Sequence, residues 1–211
     1  MKRFSMGITV LVLSIIGLML NWPSLSLIYV QALFLIMFLW SGIEFYIGGA
    51  KSFAGNSPSH LIVKINRMLW PLFVLYSWLD FRYSWSKIVI PTWLIIGLLI
   101  LCLGGLLIRL WAVIHLGESF SYDLKCPEGK ALVQTGPYRF VRHPSYLGIC
   151  ILSSFPSLIV GSLAGFIGMT VTTGLHIIYR LDAEEKILAA EFGEEFQKYK
   201  QKTYRMIPYI Y

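Results

Sequence analysis

ICILSSFPSLIVGSLAGFIGMTVTTGLHIIY, residues 149–179, contains no Asp, Glu, Lys or Arg, and how it folds decides where its flanks lie. As a single helix it would run about 46 Å at 1.5 Å per residue, well past a hydrocarbon core of about 30 Å. Two arms joined by a turn fit better. Pro156, Gly161 and Gly165 bracket the midpoint, and these residue types interrupt regular helices. A hairpin returns Arg180 to the membrane face from which His143 and Tyr146 set out, so residues distant in sequence surround one place.

The rest of the 211-residue chain asks for the same solvent. It is 56% hydrophobic and 14% charged, with a mean hydropathy of +0.66, more apolar sequence than a soluble domain needs. Further apolar stretches cover Met6 to Leu20, Leu27 to Gly49, Met68 to Leu79 and Ile88 to Ile108; the first and third are short for a span. Lys2 and Arg3 precede the first, but no small-x-small cleavage pattern follows, so it reads as a membrane helix and not a signal peptide. The net charge of +7 is spread among apolar segments and the tail, which suits membrane topology and excludes a nucleic-acid-binding face. Cys102, Cys126 and Cys150 stand far apart with no C-x-x-C pair, indicating neither a disulfide framework nor a metal site.

With the N-terminus in the cytoplasm, sixteen of the eighteen Lys and Arg fall on the cytoplasmic side, and Arg82 and Lys87 remain outside. The reading is an all-α, polytopic integral membrane protein of five to six transmembrane segments, the last two a C-terminal hairpin. Residues 1–116 form the N-terminal transmembrane helices. Residues 117–211 hold the polar stretch Gly117 to Arg142, the hairpin, and an amphipathic tail helix after Arg180 with Leu188, Phe192, Phe196 and Tyr199 along one face.

Two places can carry chemistry. Leu132-Val133-Gln134-Thr135-Gly136-Pro137-Tyr138-Arg139-Phe140-Val141-Arg142-His143-Pro144-Ser145-Tyr146-Leu147-Gly148 enters the membrane through a Gly-Pro turn, with Pro144 suited to a first helical turn. Its amides and its aromatics Tyr138 and Tyr146 can hold a sulfonium cation, or can anchor a basic loop among headgroups. Arg180, Glu184 and His176 share a helix stripe, either as a site or as an i, i+4 ion pair of little energetic weight. Glu44 is an acid inside the second span, a functional candidate by position. It lies about as deep as Arg109 in the fourth, and a structural pair between them is the expectation.

From Lys130 to Tyr211 the chain resembles the isoprenylcysteine carboxyl methyltransferase family. The resemblance rests on Leu132-Val133 before Gly136-x-Tyr138, on Arg142-His143-Pro144-Ser145-Tyr146-x-Gly148, on Arg180 with Glu184-Glu185, on Phe192-Gly193-Glu194-Glu195 and on Pro208, in order. It implies S-adenosylmethionine as cofactor, held in a cytoplasmic pocket closed by C-terminal segments, and a lipophilic or prenylated substrate arriving from the bilayer. Carried over, the cofactor contacts are Lys130, Ala131, Leu132, Val133, Tyr138, His143, Pro144, Ser145, Tyr146 and Glu184, with Arg180 at the substrate carboxylate as the catalytic residue. Lys130-Ala131 stands where the family often has His, so contacts there would come from the backbone.

Carboxyl methylation joins an anion to a sulfonium and needs no general base, because a carboxylate is already ionised at neutral pH. The protein's part is in-line placement, exclusion of water and orientation of the acid. The same fold could methylate a phenolic, pyrone or phospholipid-amine acceptor, the last needing His143 or His176 as base. Membrane sterol reductases share Arg-His-Pro-x-Tyr-x-Gly and an ending similar to residues 204–211, and would use NADPH; a non-catalytic scaffold would bind neither cofactor.

Overall fold

The computed structural model describes residues 28–48, 61–120 and 131–210, with positions 12, 15 and 16. The run from Met6 to Leu20, Lys51, Cys126 and the candidate Lys130 lie wholly or mainly outside them. Within the described residues the fold is all-helical: α1 (Ile28–Gly48), α2 (Leu61–Tyr83), α3 (Thr92–Leu116), α4 (Pro144–Ile159) and α5 (Leu163–Lys202), with short 3-10 turns at Gly117–Ser119 and Gly136–Arg139.

α1 buries Val30, Leu33, Met37, Trp40 and Glu44, residues three or four apart and therefore on one stripe. α3 is apolar all round. It packs Leu98, Cys102, Gly105, Arg109 and Ala112 inward and leaves Ile96, Ile100, Leu103, Leu107, Trp111 and Ile114 exposed. On α5, Leu163, Ile167, Val171, Leu175 and Ile178 form a second exposed apolar stripe. Faces of this extent are stable against lipid and not against water. α3 is long and apolar enough to cross a membrane, and α1 and α4 are shorter apolar helices.

The hairpin is present, with its turn at Gly161, whose φ of +81° suits glycine. Pro156 sits inside α4 without ending it. The returning arm and the tail helix are one element of 40 residues, broken only at Gly193, where φ is 49° and ψ is −118°. α2 reaches well beyond the apolar run Met68 to Leu79, because its first two turns carry Lys64 and Arg67. α3 is displaced forward from Ile88 to Ile108. Ile88 donates its amide to Gly161 O at 2.8 Å, and the helix starts only after Pro91 and continues past Arg109 to Leu116.

Two ends are tied separately. At one, Asp80, fully buried, accepts from Ser86 N at 2.7 Å and from Ser162 Oγ at 2.5 Å, fastening the α2–α3 loop to the hairpin turn. Toward the other, α3 and α4 come almost backbone to backbone. A Cβ on Gly148 would lie 2.6 Å from Gly105 O.

Candidate functional site

Arg109 is the floor of the second end. Its Nε donates to Glu44 Oε1 at 2.9 Å and its Nη2 to Glu44 Oε2 at 3.2 Å, with Trp40 Nε1 adding a bond to Oε1 at 3.0 Å. The two side chains are 3% and 6% exposed, and a charge so buried is tolerable only when paired. Arg109 Nη1 also donates to Ser145 Oγ. The expected pair thus exists, and it reaches one residue further, into the first turn of α4.

α4 begins where the sequence places it. His143 holds the cap position and Pro144 the first helical position, where its missing N–H costs nothing. Ahead of it, Gly136 takes φ of +58° against the His115 ring, where a Cβ would come within 2.1 Å of Cδ2. Tyr138 then folds inward. Its hydroxyl donates to Ala112 O at 3.3 Å and its carbonyl accepts from Tyr199 Oη at 2.7 Å. Burial, and next the negative charge of Glu184, push the Tyr138 phenol upward, so it stays neutral.

The returning arm brings its own residues to α4. Arg180 Nε donates to Tyr146 Oη at 3.2 Å, and Tyr146 Oη donates to Glu184 Oε2 at 2.9 Å. His143 Nδ1 lies 4.0 Å from Glu184 Oε1, whose side chain keeps 36% exposure, and the His143 ring stands edge-on to Tyr146 with centroids 5.9 Å apart. His143 Nε2 is buried without a hydrogen-bond partner. It lies 3.4 Å from Glu185 Oε1, within ion-pair range but off hydrogen-bond alignment. The structure therefore brings His143, Tyr146, Arg180 and Glu184 together, while Ser145 turns to Arg109. Leu132 and Val133 lie half-buried in a segment without regular structure, Ala131 is exposed, and Pro144 is buried at the head of α4.

The sequence reading names Glu185 and the tail but gives Glu185 no role of its own and does not foresee the pairing of residues 204–205 with residues 140–143. Glu185 Oε1 accepts from Arg142 Nε at 2.9 Å and lies 3.3 Å from Arg205 Nε, and Oε2 lies 3.4 Å from Lys200 Nζ. Burial alone would raise this carboxyl. The His143 ring and the Arg142 and Arg205 guanidiniums outweigh it and hold the acid well below the ordinary carboxylate range. Beyond α5 the chain returns as a short extended strap: Arg142 N donates to Tyr204 O at 2.8 Å, His143 N to Arg205 O at 3.0 Å and Tyr204 N to Phe140 O at 3.1 Å. Tyr199, through its bond to Tyr138 O, ties the last part of α5 to the turn before α4, and Phe196, whose ring lies beside it, is fully buried. The basic density of the tail and the acid Glu185 are both visible in the sequence; that they meet is not.

A sequence model described as the isoprenylcysteine carboxyl methyltransferase (ICMT) family matches residues 97–190. Protein-S-isoprenylcysteine O-methyltransferase of Schizosaccharomyces pombe is 30% identical over 196 residues, covering 92% of this chain and 74% of its own length. The proteins of the same name from Xenopus laevis and Homo sapiens are 28% and 26% identical over 166 and 188 residues. These matches take in 74% and 81% of this chain and 58% and 66% of theirs. The likeness is not confined to the last 80 or so residues, as the motifs alone suggested; it extends back through α3 and, in the fission yeast protein, over most of the chain.

Proposed function

Because this chain belongs to the isoprenylcysteine carboxyl methyltransferase family, we propose that it is a multi-pass membrane methyltransferase that moves a methyl group from S-adenosylmethionine to the carboxylate of a lipophilic, isoprenylcysteine-like acid. The observation that carries this reading is the cluster in which Tyr146 links Arg180 to Glu184, with His143 beside it. Helices α4 and α5 supply these groups from opposite arms of the hairpin, at the end of the bundle where the basic residues gather. We read that end as cytoplasmic, with residues 1–116 as scaffold and 117–211 as the chemical region, although Arg109 and Glu44 of the scaffold reach the site floor.

The residues fit the methyl donor. Glu184 is an acid at a buried cluster that still keeps a third of its side chain accessible, as a carboxylate accepting from ribose hydroxyls or an ammonium requires. The aromatic faces of Tyr146 and Tyr138 suit a sulfonium neighbour, and the Ala131 to Val133 segment, with no regular structure of its own, has backbone groups to offer the rest. When bound, the donor supplies an electrophilic methyl group.

Arg180 holds the acceptor acid. Its Nε engagement with Tyr146 fixes the plane of the guanidinium, and a one-oxygen grip keeps the second carboxylate oxygen nucleophilic, which a bidentate grip would suppress. Charge is neutralised as the ester forms, so a dry, apolar site raises no penalty in the transition state. His143, Ser145 and Tyr138 are buried beside the cluster, so its open side is that of Glu184, which a bound donor would cover. Glu184→Gln and Tyr146→Ala test the reading: Glu184→Gln should weaken S-adenosylhomocysteine binding by calorimetry about tenfold, the scale of one lost charged hydrogen bond, Tyr146→Ala should weaken it as well by removing the ring from the pocket, and both should lose more affinity than stability. Tight binding of a nicotinamide cofactor, or unaltered affinity in both variants, would contradict it.

A further inference from the structure

The strap that closes over the site has an outer face as well as an inner one. At residue 204 the chain makes an isolated bridge to Val141, and the side chains of residues 204 and 205 go to different surroundings. Arg205 turns in to Asp182 and Glu185, and Tyr204 turns out. Outside, the Tyr204 ring lies against Tyr209 with ring centroids 5.0 Å apart and planes tilted by 51°, and its backbone is bonded to that of Phe140. Phe140 is 54% exposed, Tyr209 88% and Ile210 79%. Arg139, with its guanidinium 5.1 Å from the Phe140 ring centroid, and Lys202 are exposed on the same segments. The depth of this patch is set by Tyr138, whose hydroxyl bonds Ala112 O in the last turns of α3, beside the exposed Trp111 and Ile114. That is where a span leaves the hydrocarbon for the headgroups.

We infer that Arg139, Phe140, Tyr204, Tyr209 and Ile210 form a basic-aromatic surface that seats on the anionic headgroups of the protein's own bilayer and so holds the strap closed over the site. Amphipathic rings and cations are the groups that favour the interfacial layer. Because the same strap joins Tyr204 outside to Arg205 inside, lipid charge is coupled to closure. The surface itself stands on this geometry; its effect on cofactor affinity rests on the methyl-donor reading above.

The test uses the full chain in nanodiscs of phosphatidylcholine alone and of phosphatidylcholine with phosphatidylglycerol. Hydrogen exchange at the amides of Arg142, His143 and Tyr204 should be on the order of tenfold slower in the anionic discs, the effect expected of two basic side chains near a charged surface. High salt should remove the difference. The double variants Phe140→Ser with Tyr209→Ser, and Arg139→Gln with Lys202→Gln, should each erase the lipid dependence while leaving exchange in detergent unchanged. Equal exchange of the unaltered protein in the two lipids would overturn the inference, as would full protection in neutral discs on adding inorganic phosphate, which would make a free anion the ligand. S-adenosylhomocysteine affinity should follow the same lipid order. Lipid-dependent exchange with no donor binding in any disc would sink the donor reading and leave the surface standing.

Discussion

Arg180 separates a catalytic from a structural role within one side chain. Arg180→Lys keeps the charge but loses the planar fork, so turnover of a prenylated thiol acid should drop further than donor affinity, and Arg180→Ala further again. Both replacements are good helix formers, and melting temperatures should stay close to that of the unaltered protein. A collapsed melting temperature would make Arg180 structural; a near-normal rate in Arg180→Ala would point to an uncharged acceptor. The neighbouring acids divide their work by geometry. Successive helical residues point about 100° apart, which sends Glu184 to Tyr146 and Glu185 to Arg142, Lys200 and Arg205. Because the Glu185 carboxyl is held low in the folded protein, its contribution is complete above its unfolded value of about 4.3 and is lost only as pH falls through the folded one. Exchange protection of the strap amides should therefore be flat from neutrality down through pH 5 and fail only in strong acid. Glu185→Gln should loosen the strap from neutrality down through pH 5, at a cost of about 1–3 kcal/mol, and the difference from the unaltered protein should vanish in strong acid.

Elements were legible where local chemistry fixes them. Proline at the head of α4, glycine at the hairpin turn and the length of residues 149–179 against a bilayer are all written in the sequence, and the hairpin stands as read. The bounds of α2 and α3 were not, because apolar content marks what faces lipid and not where hydrogen bonding starts. Lys64 and Arg67 sit inside a helix, and Ile88 to Pro91 sit outside one. The strap was invisible for a different reason: three residues of extended backbone paired with residues 140–143 have neither a period nor a composition to betray them. The close approach of α3 and α4 was equally silent until both glycines were in place. Gly148→Ala should force the helices apart and lower stability by about 1–3 kcal/mol, read as a drop in melting temperature, whereas Gly174→Ala, with open space around its Cβ position, should not. Equal shifts in the two would contradict the contact.

At the scale of the molecule, the two tied ends are opposite ends of the same helices. Arg82 and Lys87 lie near the Asp80 clasp, and Arg142, Lys200 and Arg205 lie around Glu185, so the charge asymmetry counted along the sequence maps onto the fold. The Glu44–Arg109 pair was legible from depth alone, since two opposite charges at one level of a bundle must find each other. Its extension to Ser145 needed the structure. The central claim is that this assembly transfers a methyl group to an acid. The direct measurement supplies the purified protein in a bilayer with methyl-labelled S-adenosylmethionine and a prenylated thiol acid, then treats the extracted lipid product with base. Label should enter the lipid and be released by base as methanol, the mark of a methyl ester, in the unaltered protein and not in Arg180→Ala. Label in a base-stable product, or none from folded protein that binds the donor, would contradict carboxyl methylation at this site.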